Sequence, residues 1–227
     1  MSSSTQFETD TIPTSAGDLD ITFLGHGTLM MTFGGRTIHV DPYSGVADYA
    51  NLPKADIVLI THEHGDHLDK TALSRIRTPN TTVVLTQICA QQVSGGVVMR
   101  NGDSRTVKGL PIEAVPAYNI AHKHPDGKPF HPKGAGNGYV ITFGDVRVYI
   151  GADTENIPEM KQLQDIDVAF LPMNLPYTMA PEMVAEAARV IRPRILYPSH
   201  FGGTNTSELV DLLADDQGIE VRIRRLA

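Results

Sequence analysis

Cysteine is nearly absent from this 227-residue chain: Cys89 stands alone, and there is no tryptophan. One thiol cannot build a disulfide framework or a multi-cysteine zinc ribbon, and it agrees with a reducing compartment. Basic residues are the minority, 19 Lys and Arg against 26 Asp and Glu, for a formal net charge of −7. Binding to a phosphate backbone is driven by Lys and Arg, so nucleic acid is not expected as a partner. Long apolar runs are also missing. None reaches the ~18 residues that span a bilayer, and no membrane partner is expected. The N-terminal residues 1–16 are polar and rich in Ser and Thr, without the basic and then apolar regions of a signal peptide. A cytoplasmic protein acting on a small molecule, with homo-oligomers permitted, is the expectation from these absences.

The remaining composition, 41% hydrophobic and 20% charged, is that of a globular domain. Short apolar runs rich in Val, Ile, Thr, Phe and Tyr predict strands at 21–24, 29–33, 37–40, 56–60, 82–85, 112–115, 139–143, 146–150, 168–171, 195–197 and 220–223. Phe33-Gly34-Gly35-Arg36 and Phe143-Gly144-Asp145-Val146 read as the turns of antiparallel hairpins. Residues 181–192 predict a helix, with Pro181 in the first turn, an apolar face of Met183, Val184, Ala187, Ala188 and Ile191, and Pro193 as the stop. A second helix is predicted over 206–214 behind a Thr or Ser cap, and weaker ones over 70–76 and 86–93. Two sheets in the middle with helices outside follow from this order. Residues 1–17 read as a polar arm and 18–227 as a single domain. The stretch 116–138, rich in His, Lys, Pro and Gly, has no periodicity, and a long irregular segment in a compact domain is usually functional.

The chemistry concentrates at His62-Glu63-His64-Gly65-Asp66-His67, directly after the apolar run 56–60. On extended backbone His62 and His64 point to one side. Gly65 permits a sharp turn that returns Asp66 and His67 toward them. Imidazole with carboxylate suits zinc, manganese, iron or nickel, zinc foremost. One loop does not easily supply a whole site. Asp153 and His200 each follow a predicted strand, where a rigid sheet can hold a ligand.

The motif at 62–67, Asp153 in Gly151-Ala152-Asp153-Thr154, and His200 in Ser199-His200-Phe201-Gly202 resemble the metallo-β-lactamase superfamily, in that family's order. Leu24-Gly25-His26-Gly27 with Asp41-Pro42 is similar to the branch of ascorbate-6-phosphate lactonase and many uncharacterised bacterial hydrolases. The resemblance implies a four-layer αββα sandwich of two mixed sheets. It implies one or two divalent ions, with His62 and His64 on the first, Asp66, His67 and His200 on the second, and Asp153 bridging. A further family histidine is expected where this chain has Asn119; either the loop supplies His131, or else His122 or His124, instead, with His131 the choice, or the first metal position is weaker. The resemblance gives Asp41 a role in orienting the metal loop, the other reading being an Asp-Pro turn. His26 is either a site residue or a satisfied structural histidine.

The implied activity is metal-dependent hydrolysis of a small ester, lactone, amide or phosphodiester, with Asp66 and His67 as the catalytic pair. Lys123, Lys128 and Lys133 in the irregular stretch point to an anionic substrate if that stretch closes over the site, and Tyr177 is a candidate substrate contact. A non-catalytic metal-binding protein and a redox protein on the same ligands are the alternatives.

Overall fold

Alternation decides the layers. In the strand Ile57–Leu59 (β5), Ile57 and Leu59 join the core between two sheets, while Val58 and the following Ile60 join a second apolar cluster on the opposite face. Val84 and its neighbours Val83 and Leu85 divide in the same way in Thr82–Leu85 (β6). Such strands need cover on both faces, which is why they lie centrally in a sheet. The outer cover here is the helix Lys70–Ile76 (α1), which presents Ala72, Leu73 and Ile76. Asp69 caps it by accepting from the Thr71 and Ala72 backbone N–H groups.

The computed structural model describes residues 7–227. Its first sheet runs in sequence order: Glu8–Thr14 (β1), Gly17–Gly25 (β2), Thr28–Phe33 (β3), Arg36–Val40 (β4), β5, β6 and Val97–Val98 (β7). The second is ordered Ser104–Val107 (β8), Leu110–Ala117 (β9), Gly136–Phe143 (β10), Val146–Ile150 (β11), Val168–Pro172 (β12), Ile195–Ser199 (β13) and Glu220–Val221 (β14). Each sheet is antiparallel through its first four strands and parallel through its last three. The chain is thus two halves of one topology. The helices Pro181–Ile191 (α2) and Thr206–Leu212 (α3) bury Val184, Ala188, Ile191 and Leu209 in the same cluster that forms the core between the sheets. This is the expected αββα sandwich of two mixed sheets.

Four expectations are corrected. The polar arm over 1–17 is, over Glu8–Thr14, an edge strand paired with β2 in unbroken register; residues 1–6 lie outside the described residues. The helix expected over 86–93 is a single 3₁₀ turn, Cys89–Gln91. The cap of α3 is Asn205, which accepts from Ser207 N–H, and not Thr206 or Ser207. Gly65 keeps negative φ with open space around it. The motif bends because His67 and Leu68 N–H groups both donate to the His64 carbonyl, a helical turn that needs no glycine.

Near the functional residues the sheets are tied together by polar groups. Asn137 N–H donates to Thr61 O, and the buried Tyr139 hydroxyl donates to Ile60 O. These bonds satisfy the two carbonyls that follow β5, just where the chain turns into His62.

Candidate metal centre

All the candidate ligands stand at carboxyl ends of strands or in the loops that follow. His62–His67 follow β5, Asp153 follows β11, and His200 follows β13. His131 lies in the β9–β10 loop, five residues before β10. His26, Asp41, Ala152 and His200 all adopt left-handed φ, from 44° to 56°. Four such non-glycine residues around one cluster mark a place where the surrounding structure imposes the backbone. A Cβ at Gly27 would lie 3.3 Å from His67 Cε1, so glycine there leaves room for the ring.

The side chains converge. Asp153 is buried, and its carboxylate lies 3.3 Å from His131 Nε2, 3.5 Å from His67 Nε2, 3.6 Å from His200 Nε2 and 4.0 Å from His62 Nε2. Asp66 Oδ2 is 3.6 Å from His200 Nε2 and 3.8 Å from His67 Nε2. The Nε2 atoms of His62, His67, His131 and His200 are buried and have no hydrogen-bond partner. An orphaned buried polar atom costs about 1–3 kcal/mol, and four of them aimed at one carboxylate need a common partner. Donors that share a tetrahedral ion at ~2.1 Å stand roughly 3.4 Å apart, close to the observed spacings. His62, His64 and His131 form one group whose ligand atoms lie within 4.8 Å of one another; His26, Asp66, His67 and His200 form a second; Asp153 joins His62 and His67 in a third. The residues fit two neighbouring cations with Asp153 between them.

The far side of each imidazole fixes its tautomer. His67 Nδ1 donates to Asp41 Oδ2 at 2.8 Å. The Thr61 hydroxyl donates to the same oxygen at 2.6 Å, and its own oxygen accepts from His62 Nδ1 at 3.0 Å. Asp41 thus orients two histidines, one directly and one through Thr61, and leaves both Nε2 atoms facing the centre. His131 Nδ1 donates to Asn119 Oδ1 at 2.6 Å, and His131 N–H donates to that oxygen at 2.8 Å. Asn119 is therefore a holder of His131 and not a gap in the site. The His200 Nδ1 atom lies 3.2 Å from the Asn174 side-chain amide. His122 takes no part: its Nδ1 donates to Thr178 O. His124 packs its ring on Phe130.

Electrostatics point the same way. Burial alone would make His67 a weaker base, but Asp153 and Asp41 overcome it and push the ring up to about 9. Burial dominates at His62 and pulls it well below the ordinary imidazole range. Asp66 is opposed by burial, yet the His200 and His26 rings and the charge of His67 hold it far below the usual carboxylate range. His26 donates from Nε2 to Asp66 Oδ2 at 2.9 Å and packs tilted against His200 with ring centroids 3.6 Å apart, which places it beside the second group. The arrangement attracts positive charge to the spot that faces Asp153.

Glu155 and Asn174 were not evident from the sequence. Glu155 is buried and accepts from the backbone of Ile120, Ala121 and His122 and from Asn119 Nδ2. It thereby sets which way the Asn119 amide faces. The only signal was a second acid two residues after Asp153, which a surface loop also produces. The lysines depart from expectation. Lys133 pairs with Glu159 at 2.6 Å and Lys128 with Asp126 at 3.1 Å, so two of the three cations are already neutralised.

Residues 20–200 match the model of the Beta-lactamase superfamily domain. A UPF0173 metal-dependent hydrolase of Methanopyrus kandleri is 34% identical over 80% of this chain and 84% of its own. The crystal structure of a protein described as a metal-dependent hydrolase from Parabacteroides distasonis shares 49% identity, with TM-score 0.94 over 98% of this chain and all of that one. A metallo hydrolase from Ignicoccus hospitalis has the same fold, at 23% identity and TM-score 0.75 over 92% of this chain and 96% of its own. The resemblance inferred from the motifs thus holds at the level of the superfamily, and the chain belongs to the β-lactamase superfamily, within it to the UPF0173 metal-dependent hydrolases.

Proposed function

We propose that the protein hydrolyses a small ester, lactone, amide or phosphodiester with two divalent ions, zinc foremost. His62, His64 and His131 hold the first, Asp66, His67 and His200 the second, and Asp153 spans both. The observation that carries this reading is the set of four buried, unpartnered Nε2 atoms converging on Asp153. When bound, such ions supply a nucleophile at neutral pH by lowering the pKa of water from about 15.7 to about 7, and they polarise a carbonyl or phosphoryl oxygen.

The protein's own residues do the rest. Asp66 is the most exposed acid of the cluster, with 36% of its side chain accessible. Its Oδ2 is held by His26 Nε2, so the carboxylate stays ionised and can accept a hydrogen bond that orients the nucleophile at the mouth of the site. His67 is fixed from behind by Asp41, and this pair sets the orientation of the second ligand group. Asp41, Thr61 and Asn119 keep three imidazoles in place before substrate arrives, which is the preorganisation such chemistry requires.

Elemental analysis of purified protein, joined to a screen of lactones, carboxylic esters, amides and phosphodiesters, tests this. About two ions per chain, and a hydrolytic activity that chelation abolishes and His64→Ala reduces by 100-fold or more, are expected. A well-folded, fully loaded protein whose activity ignores both chelator and His64→Ala would refute the proposal.

A further inference from the structure

Resting on that reading of the centre, we infer that the substrate presents an uncharged apolar acyl or aryl group to a lip formed by Phe130 and Tyr177. The two rings meet edge to face with centroids 5.1 Å apart. Phe130 lines the pocket that also touches His62, His64, His131 and Asp153, so the lip opens directly onto the donor cluster. Tyr177 comes from the loop after β12, on the other side, and its carbonyl accepts from Asn119 Nδ2.

Exposure supports a binding role. Among the described residues, the large hydrophobics with substantial exposure include Tyr177 at 46%, Leu175 at 50% and Ile120 at 48%. All three lie on the two loops that border the centre, and the others, Val190, Val210 and Leu212, lie on or at α2 and α3. Exposed apolar side chains gathered beside a reactive site indicate a ligand surface.

The charges exclude the opposite class. No Lys or Arg lines either pocket bordering the cluster. Lys128 and Lys133 pair with Asp126 and Glu159, and Lys123 lines neither pocket. Glu63 lines the pocket, with its Oε2 buried and unpartnered. A phosphate ester would meet the Glu63 carboxylate and no Lys or Arg in either pocket. The substrate class is therefore an ester, lactone or amide of a hydrophobic acid, and Phe130 and Tyr177 are specificity-determining residues.

Alkyl hydroxamates test this without turnover. They chelate metal through one common head group and vary only in the chain. Titrating the metal-loaded protein calorimetrically with acetohydroxamate, hexanohydroxamate and octanohydroxamate should give Kd values falling about tenfold or more from the first to the last, since each half-buried methylene contributes about a twofold gain. Phe130→Ala and, independently, Tyr177→Glu should flatten the series while metal content stays at the wild-type level. Tyr177 lies on a separate loop from His131, so that variant keeps the test alive if Phe130→Ala disturbs the ligand beside it. Acetohydroxamate binding with no chain-length dependence would overturn the inference and leave the proposed function standing. Loss of all hydroxamate binding in metal-replete protein would overturn the proposed function, and the inference with it. Dimerisation through this lip, abolished by Tyr177→Glu without change in the hydroxamate series, would overturn the inference in favour of a second copy as the occupant.

Discussion

Replacing Asn119 by alanine should separate the two metal positions. The amide makes four hydrogen bonds in a buried setting: it accepts twice from His131 and donates to Glu155 Oε1 and Tyr177 O. At about 1 kcal/mol net for each bond, with partial rescue by water, the fold should lose roughly 2–4 kcal/mol. The larger consequence falls on His131. Without an acceptor at Nδ1 its ring can turn, and both tautomers become available. Loss of an orienting partner of this kind weakens metal affinity by about 10–100-fold. None of Asp66, His67 or His200 bonds to Asn119, so the second position should keep its affinity. On the proposed two-ion reading, competition against chelators of graded strength, read by elemental analysis, should therefore show one ion leaving early and one late in the variant and both held in the wild type. Asn119→Asp is the companion: it keeps the acceptor for His131 but sets a second carboxylate against Glu155, so it should hold metal better and stability worse than the alanine. If Asn119→Ala lost stability as calculated but bound both ions as tightly as the wild type, the reasoning that ties this amide to His131 would be refuted.

Metal binding should release about one proton at neutral pH, because His67 is raised to about 9 in the metal-free site. Apparent affinity should then climb by up to about tenfold per unit from pH 6.5 to 9 and level off above; calorimetry in buffers of different ionisation enthalpy counts the proton. The sign for metal-free stability is opposite: a folded pKa above the unfolded ~6.5 gives a contribution fully present below pH 6.5 and lost as pH rises through about 9. His26→Ala removes the donor to Asp66 Oδ2 and should cut turnover about 10-fold or more with the ion count intact; an unchanged rate would remove His26 from the mechanism. Asp10→Ala breaks the bonds that join β1 to Tyr197 and Arg224. A loss of about 1–3 kcal/mol in denaturant unfolding is expected, with metal stoichiometry unaffected.

The strands at the heart of each sheet were legible because both their faces are apolar, and a run such as 56–60 admits few other readings. The cluster at 62–67 was legible for a different reason: four donors within six residues are rare by chance. What escaped notice has its own physics. β1 reads ETDTIPT and buries only Ile12 among its side chains; its stability comes from backbone pairing with β2, which leaves no hydrophobic trace. Proline at position 13 is tolerated because β1 is an edge. β8 has one buried residue, Val107, for the same reason. His131 was a choice among three nearby histidines, and no periodicity inside an irregular loop can tell which ring an amide 12 residues upstream will hold. Glu155, which sets that amide, is a group holding a group, and such indirect dependence leaves no spacing pattern to read.

The shared topology of the two halves has a consequence for how the molecule comes apart. The first half supplies His62, His64, Asp66 and His67; the second supplies His131, Asp153 and His200. Neither owns a full set, so on the proposed assignment an ion in this centre would be a rivet driven through both plates of the sandwich. Prising the plates apart exposes the rivet, and withdrawing it frees the plates to slide. The rate at which a chelator strips metal therefore doubles as a gauge of how often the two halves breathe open at this end.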